Sequence, residues 1–305
     1  MKALKPYMIL FIFVLLFSCN NNNKDNENVV SDDDIDINID TTGNVEHSRK
    51  VKKIFYNIPS PLEMTSLMQK AGADFNPKIL NKPENVDNYI SVNKMALNLG
   101  VYGADLSYTR IFDQIQRSVT ILSSIRKLSD ELGIPQDKGS FAINRLEENL
   151  NNRDSLLQII SDTYSSADLY LKENDRGSTA ALIVTGGWIE GLYIATHIVG
   201  DSANYNKEIL TRIGEQKFSL SNLIELLKIY KEEDEDIKTC FPKLLEIKEV
   251  FDKVKIEYTK GEVITDVDKK MTTITSKADV QILASDVEKI KKLIIKIRDH
   301  IINIK

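Results

Sequence analysis

Apolar residues in this 305-residue chain recur mostly at intervals of three and four, the spacing of one helix face, and that period predicts a helical protein. Over 104–132, Leu106, Ile111, Phe112, Ile115, Val119, Leu122 and Ile125 mark such a face, and Gly133 and Pro135 stop it. Residues 85–101 precede it as a companion helix, or as the first part of one bent helix, the two parts joined at Gly100-Val101-Tyr102-Gly103. Beyond the first 20 residues the most apolar stretch is AALIVTGGWIEGLYIATHIVG, 180–200, which predicts a central helix over 178–199. Further helices are expected at 140–150, 154–172, 203–213, 219–233 and 242–257. The breaks between them fall at Asn151-Asn152, Asn174 to Gly177, Gly200, Gly214 and the acidic run from Glu232 to Asp236.

Two stretches read as helix starts by their capping chemistry: Ser60-Pro61-Leu62-Glu63, and Ser285 with Glu288 three residues on. The second opens a last helix with Val287, Ile290, Leu293, Ile294, Ile297 and Ile301 on one side. The period changes once, over 260–282. There Val263, Ile264, Val267, Thr272, Thr273, Ile274 and Thr275 are β-branched and Asp268-Lys269-Lys270 supplies a turn, so a two-stranded hairpin is expected. The fold class is all-α: a single multi-helix bundle domain over 51–305 with a small C-terminal β-hairpin.

Charge changes this picture at one end. The formal net charge is −5, but residues 20–44 hold seven acids against Lys24, which leaves the body near neutral. A near-neutral body lacks the clustered basic face of a nucleic-acid binder, so no nucleic-acid partner is expected. There are two cysteines, Cys19 and Cys240. With Cys19 assigned below, Cys240 beside Phe241 and Pro242 reads as a small buried hydrophobe with no disulfide partner.

The N-terminus carries the most specific pattern. Lys2 and Lys5 precede an apolar run from Met8 to Phe17, too short for a spanning helix, and the run ends in Leu16-Phe17-Ser18-Cys19. These residues resemble the signal of bacterial lipoproteins, with 16–19 standing at the lipobox. The resemblance implies a signal peptide over 1–18, cleavage before Cys19, and acylation of Cys19 that holds the protein to a membrane. Residues 19–50 then form a disordered acidic tether, since Asn20 to Asn23 and the acids after them leave too few large apolar side chains to fold. This asparagine-rich, acidic stretch resembles those of lipoproteins of the Bacteroidetes group, and the implied location is the outer membrane, on its periplasmic or cell-surface face.

Catalytic and metal chemistry finds little support. His47, His197 and His300 are scattered, with no i, i+4 pair for zinc, so no metal and no cofactor is expected. A Gly-x-Ser-x-Gly elbow and a phosphate-binding Gly loop are both missing from the sequence. The final helix carries Lys289, Lys291, Lys292, Lys296 and Arg298, read as a solvated basic face around a docked apolar stripe.

What remains is the central helix. Glu190 lies in an apolar run beside Trp188 and Tyr193, and a buried carboxylate needs a partner, a proton or a route to water. Arg110, Arg117, Arg145 or a tyrosine hydroxyl could pair with it. Alternatively Trp188, Glu190, Tyr193, Asp105 and Tyr108 could line one cleft and bind a ligand, with Gly187, Gly191 and Ala195 forming a close-packing edge four residues apart. The expected function is a lipid-anchored envelope protein with a non-catalytic binding or interaction role, its partner a small molecule or protein of the envelope. An envelope enzyme using Glu190 or Asp105 as acid or base, and a purely structural lipoprotein, are the alternatives.

Overall fold

The computed structural model describes residues 74–135, 169–200, 205–258 and 278–303, the strands at 263–266 and 271–274, and isolated positions between 145 and 159. All of them belong to the unit spanning 43–305. The signal peptide, Cys19, the tether and the helix start at Ser60 lie outside the described residues. So does most of 140–168, of which residues 145, 148, 155, 158 and 159 are helical.

Among the described residues the fold is all-α with a C-terminal hairpin. Two short 3-10 turns, Pro77–Ile79 and Pro83–Asn88, lead into α1 (Val92–Ile111), followed by α2 (Ile115–Glu131), α3 (Gly177–Ile198), α4 (Lys207–Tyr230), α5 (Glu235–Phe251) and α6 (Ala284–Ile302). Between α5 and α6 run β1 (Lys255–Tyr258), β2 (Val263–Asp266), β3 (Met271–Ile274) and β4 (Ala278–Gln281). β2 pairs antiparallel with β3, and β1 pairs with β4 farther out, so the expected hairpin carries a second, outer ladder.

The broadest helix contact is between α1 and α3, and both are enclosed. Every residue of α1 from Met95 to Ile111 is buried. α3 is the one described helix long and apolar enough to cross a membrane, and 78% of that window is buried in the protein. The two backbones approach through glycines on both sides. A Cβ on Gly100 would stand 2.0 Å from the Ile183 carbonyl oxygen, and one on Gly186 would stand 1.9 Å from that of Leu97. This contact explains a difference from the sequence reading. Gly100 does not break a helix; α1 runs straight through 100–103, and the break falls at Phe112–Gln114, where Asp113 takes a left-handed conformation (φ 55°).

Other boundaries move for similar reasons. Gly214 lies inside a continuous α4, because a Cβ there would meet Val280 Cγ1 of β4 at 2.3 Å; the glycine seats the hairpin on the helix. α5 starts earlier than 242, at the Asp234 cap whose carboxylate accepts the N–H groups of Asp236 and Ile237, and so holds Pro242 inside it on an exposed side. It ends at Phe251, leaving 255–258 to strand β1. The capping box at Ser285 does not form: Ser285 is inside α6, and Glu288 instead accepts the Tyr205 hydroxyl at 2.5 Å.

α6 docks Val287, Ile290, Ile294, Ile297 and Ile301 against the core. Its last carbonyls are satisfied from other elements. Lys94 donates to His300 O and Ile301 O, Asn98 Nδ2 to Ile301 O (3.1 Å) and the Tyr89 hydroxyl to Ile302 O (3.2 Å). A cation at that end also complements the helix dipole.

Candidate functional site

Glu190 sits on the side of α3 that meets both α1 and α6, and its carboxylate has no exposure at all. Its partner is Arg298. Nε donates to Oε2 at 2.5 Å and Nη2 to Oε1 at 2.7 Å, a two-pronged pair, while Nη2 also donates to the Ile79 carbonyl at 2.9 Å. The guanidinium lies 4.0 Å from the centre of the Tyr193 ring, and that ring packs tilted against His197, centroids 4.1 Å apart. None of the arginines that the sequence offered as partners fills this role.

Arg298 is therefore not part of the basic face of the last helix. It stands four residues after Ile294 and eight after Ile290, on the buried stripe itself. That spacing was the signal for it in the sequence. Burial is the largest influence and works against its charge, but Glu190, with Asp105 and Tyr193 after it, together outweigh burial, so its pKa ends above the ordinary arginine value.

Asp105 completes the cluster from α1, and it too has no exposure. Its Oδ2 accepts the Asn81 N–H at 3.0 Å, and no donor reaches Oδ1. Burial, and after it the charge of Glu190, push the Asp105 carboxyl well above its ordinary value, against the opposing pull of Arg298 and of the Asn81 N–H. The raised Asp105 pKa favours its neutral form, and a protonated carboxyl can donate where a carboxylate cannot. Asp105 thus lies buried beside the Glu190–Arg298 pair, whose two charges balance.

A segment before α1 closes the set off from water. The Asn76 N–H donates to the Tyr108 hydroxyl (2.8 Å), Asn81 N–H reaches Asp105, the Tyr102 hydroxyl bonds Lys82 O (2.8 Å), and Ile79 O takes Arg298. Behind this strap, Asn81 Nδ2 bonds the Tyr89 hydroxyl at 3.0 Å, and Asn81 and Ile79 are 1% and 4% exposed. The residues of 74–89 were not among those singled out in the sequence, because what reaches Asp105, Tyr108, Tyr102 and Arg298 from them is main chain.

The structure brings Glu190, Tyr193 and Asp105 together around Arg298. Tyr108 is turned away to the strap, packed between Phe75 and Phe112. Trp188 faces α4, where its Nε1 donates to Gln216 Oε1 at 3.2 Å. Of the glycine edge, Gly187 lies at the helix crossing, its N 2.6 Å from where a Cβ on Gly100 would stand, whereas a Cβ on Gly191 would meet nothing within 4 Å; the close approach runs through Gly100, Gly186 and Gly187. Among the described residues these five side chains do not converge on one point, and Asp105 and Glu190 have no exposure.

Of the other reactive groups, Cys240 is buried and its thiol is pushed up to about 12, first by burial. Burial lowers the His197 pKa, against the Tyr193 carbonyl that meets its Nδ1 at 2.7 Å. Among the described residues no group of three or more His, Cys, Asp or Glu side chains could hold a metal ion. Compared with known protein families, curated proteins and solved structures, the chain matches none of them.

Proposed function

We propose that this is a lipid-anchored outer-membrane protein with a non-catalytic role, its helical body serving to bind or to engage another envelope component. The observation that carries the non-catalytic reading is the saturation of the Glu190–Arg298 pair: both carboxylates that could serve as acid or base have zero exposure, and the strap covers them. An enzyme needs its base within reach of the proton it removes. The polar centre of this body acts instead as a lock that joins α1, α3, α6 and the strap at one point.

The anchor rests on the residues around Cys19. Mass spectrometry of the protein isolated from its own membranes tests it: the expected N-terminal residue is Cys19 bearing acyl chains, with Cys19→Ala lacking them and leaving the membrane fraction. Finding wild-type protein without acyl chains refutes the anchor. For the binding role, a thermal-shift screen against envelope metabolites is the direct assay, and activity of Glu190→Gln equal to zero in any hydrolytic or transfer assay positive for wild type would restore the enzyme.

A further inference from the structure

A second polar constellation lies away from the lock, at the end of the molecule where α1 begins and α6 finishes. A cleft of about 570 Å³ opens there, within the range of small-molecule sites. Lys94 of α1, Lys243 of α5 and Lys296 of α6 all line it, and Asp299 is the one acid in the lining. Asn93 holds Asp234 and Asp236 of α5 nearby, at 3.1 and 2.9 Å from its Nδ2.

The three ammonium groups differ in what occupies them. Lys94 is used on α6, where it donates to two terminal carbonyls. Neither Lys243 nor Lys296 has a hydrogen-bond or ion-pair partner among the described residues. Burial pulls the Lys94 pKa below its ordinary value; Asp236 opposes this and the nearby charge of Lys243 adds to it. Asp236 and the terminal carbonyls of α6 thus already answer the charge of Lys94, whereas Lys243 and Lys296 bring unpaired ammonium groups to the lining of the cleft, where an anion can meet them.

The same cleft has an apolar side. Tyr89, 2% exposed, backs part of the wall, and Ile90 beside it is 87% exposed, the most exposed large apolar residue described. A single solvated isoleucine is ordinary, but this one adjoins unpaired cations in one concavity.

We propose that the cleft lined by Lys94, Lys243, Lys296, Tyr89 and Ile90 binds an amphiphilic organic anion, its phosphate or carboxylate between the lysines and its apolar part along Tyr89 and Ile90. This deepens the binding reading by naming the ligand class, and it does not depend on the anchor.

The test uses the full chain in a neutral sugar detergent, titrated calorimetrically with hexyl phosphate, with inorganic phosphate and hexanol as the two halves of the ligand. Hexyl phosphate should bind at least tenfold more tightly than either half. Lys243→Ala with Lys296→Ala should weaken it at least tenfold while leaving the melting temperature in place, since neither side chain holds anything in the fold. A single Ile90→Ser should lower the preference for hexyl phosphate over inorganic phosphate. Equal affinity in wild type and the double lysine variant, or no heat with hexyl phosphate, overturns the proposal. Phosphatidylglycerol vesicles distinguish the source of the ligand: competition with hexyl phosphate identifies a lipid headgroup, no competition a free amphiphile, and both keep the cleft as the site. Binding in this assay with no acyl chain on Cys19 would retain the site and discard the anchor.

Discussion

A proton held on Asp105 beside the Glu190–Arg298 pair makes a specific demand on mutational energetics. Removing one member of a buried ion pair costs about 3–5 kcal/mol when nothing replaces it. Here a replacement is at hand. Glu190→Gln removes the charge that helps to hold the proton on Asp105, so Asp105 ionises and pairs with Arg298, whose side chain is 6% exposed. The single substitution should therefore cost less, about 1–3 kcal/mol. Asp105→Asn exchanges one neutral group for another that can still accept from Asn81, at a cost under about 1 kcal/mol. The double variant leaves a buried guanidinium with no carboxylate, and the full cost of about 3–5 kcal/mol returns. The double cost should exceed the sum of the singles by on the order of 1–2 kcal/mol. Urea unfolding at pH 7 measures this, followed by the fluorescence of Trp188, the single tryptophan of the chain and 5% exposed. If Asp105→Asn costs as much as Glu190→Gln, or the two add, the proton on Asp105 is refuted.

The same proton gives a pH signature. The Asp105 pKa is raised in the folded chain, so its stabilisation is complete below the unfolded value of about 3.9 and is lost as pH rises through the folded value. The stability of wild type minus that of Asp105→Asn should fall from pH 4 to pH 8, and a constant difference sinks the idea. The helix crossing separates glycines that look alike in the sequence. Gly100→Ala and Gly186→Ala force methyl groups against backbone oxygens and should cost about 1–3 kcal/mol or more. Gly191→Ala, with open space around its Cβ, should gain roughly 0.5–1 kcal/mol. Thermal melts that rank the three together would contradict the crossing.

Periodicity was sufficient for the class of fold. Apolar spacing of three and four, and β-branched residues either side of 268–270, depend only on which face of a local element is buried, so helices and hairpin are legible without knowing their neighbours. Identifying 180–200 as a central helix follows from the same logic, since a segment apolar all round must be enclosed. The position of Glu190 within it stated a need for a partner.

Which partner met that need was decided by the tertiary structure. Arg298 is 108 residues away, and its pairing depends on the angle at which α6 crosses α3. The glycines show the same division. Gly100, Gly186, Gly191 and Gly214 have identical chemistry, and only the distance to the next backbone or side chain tells a close approach from open space. The strap at 74–89 reaches Asp105 and Arg298 through main-chain groups, which carry no residue signature, and the lysine cleft exists because three elements distant in sequence meet at one place. Local period is a property of the chain; partners and cavities are set by how helices cross, which no local pattern encodes.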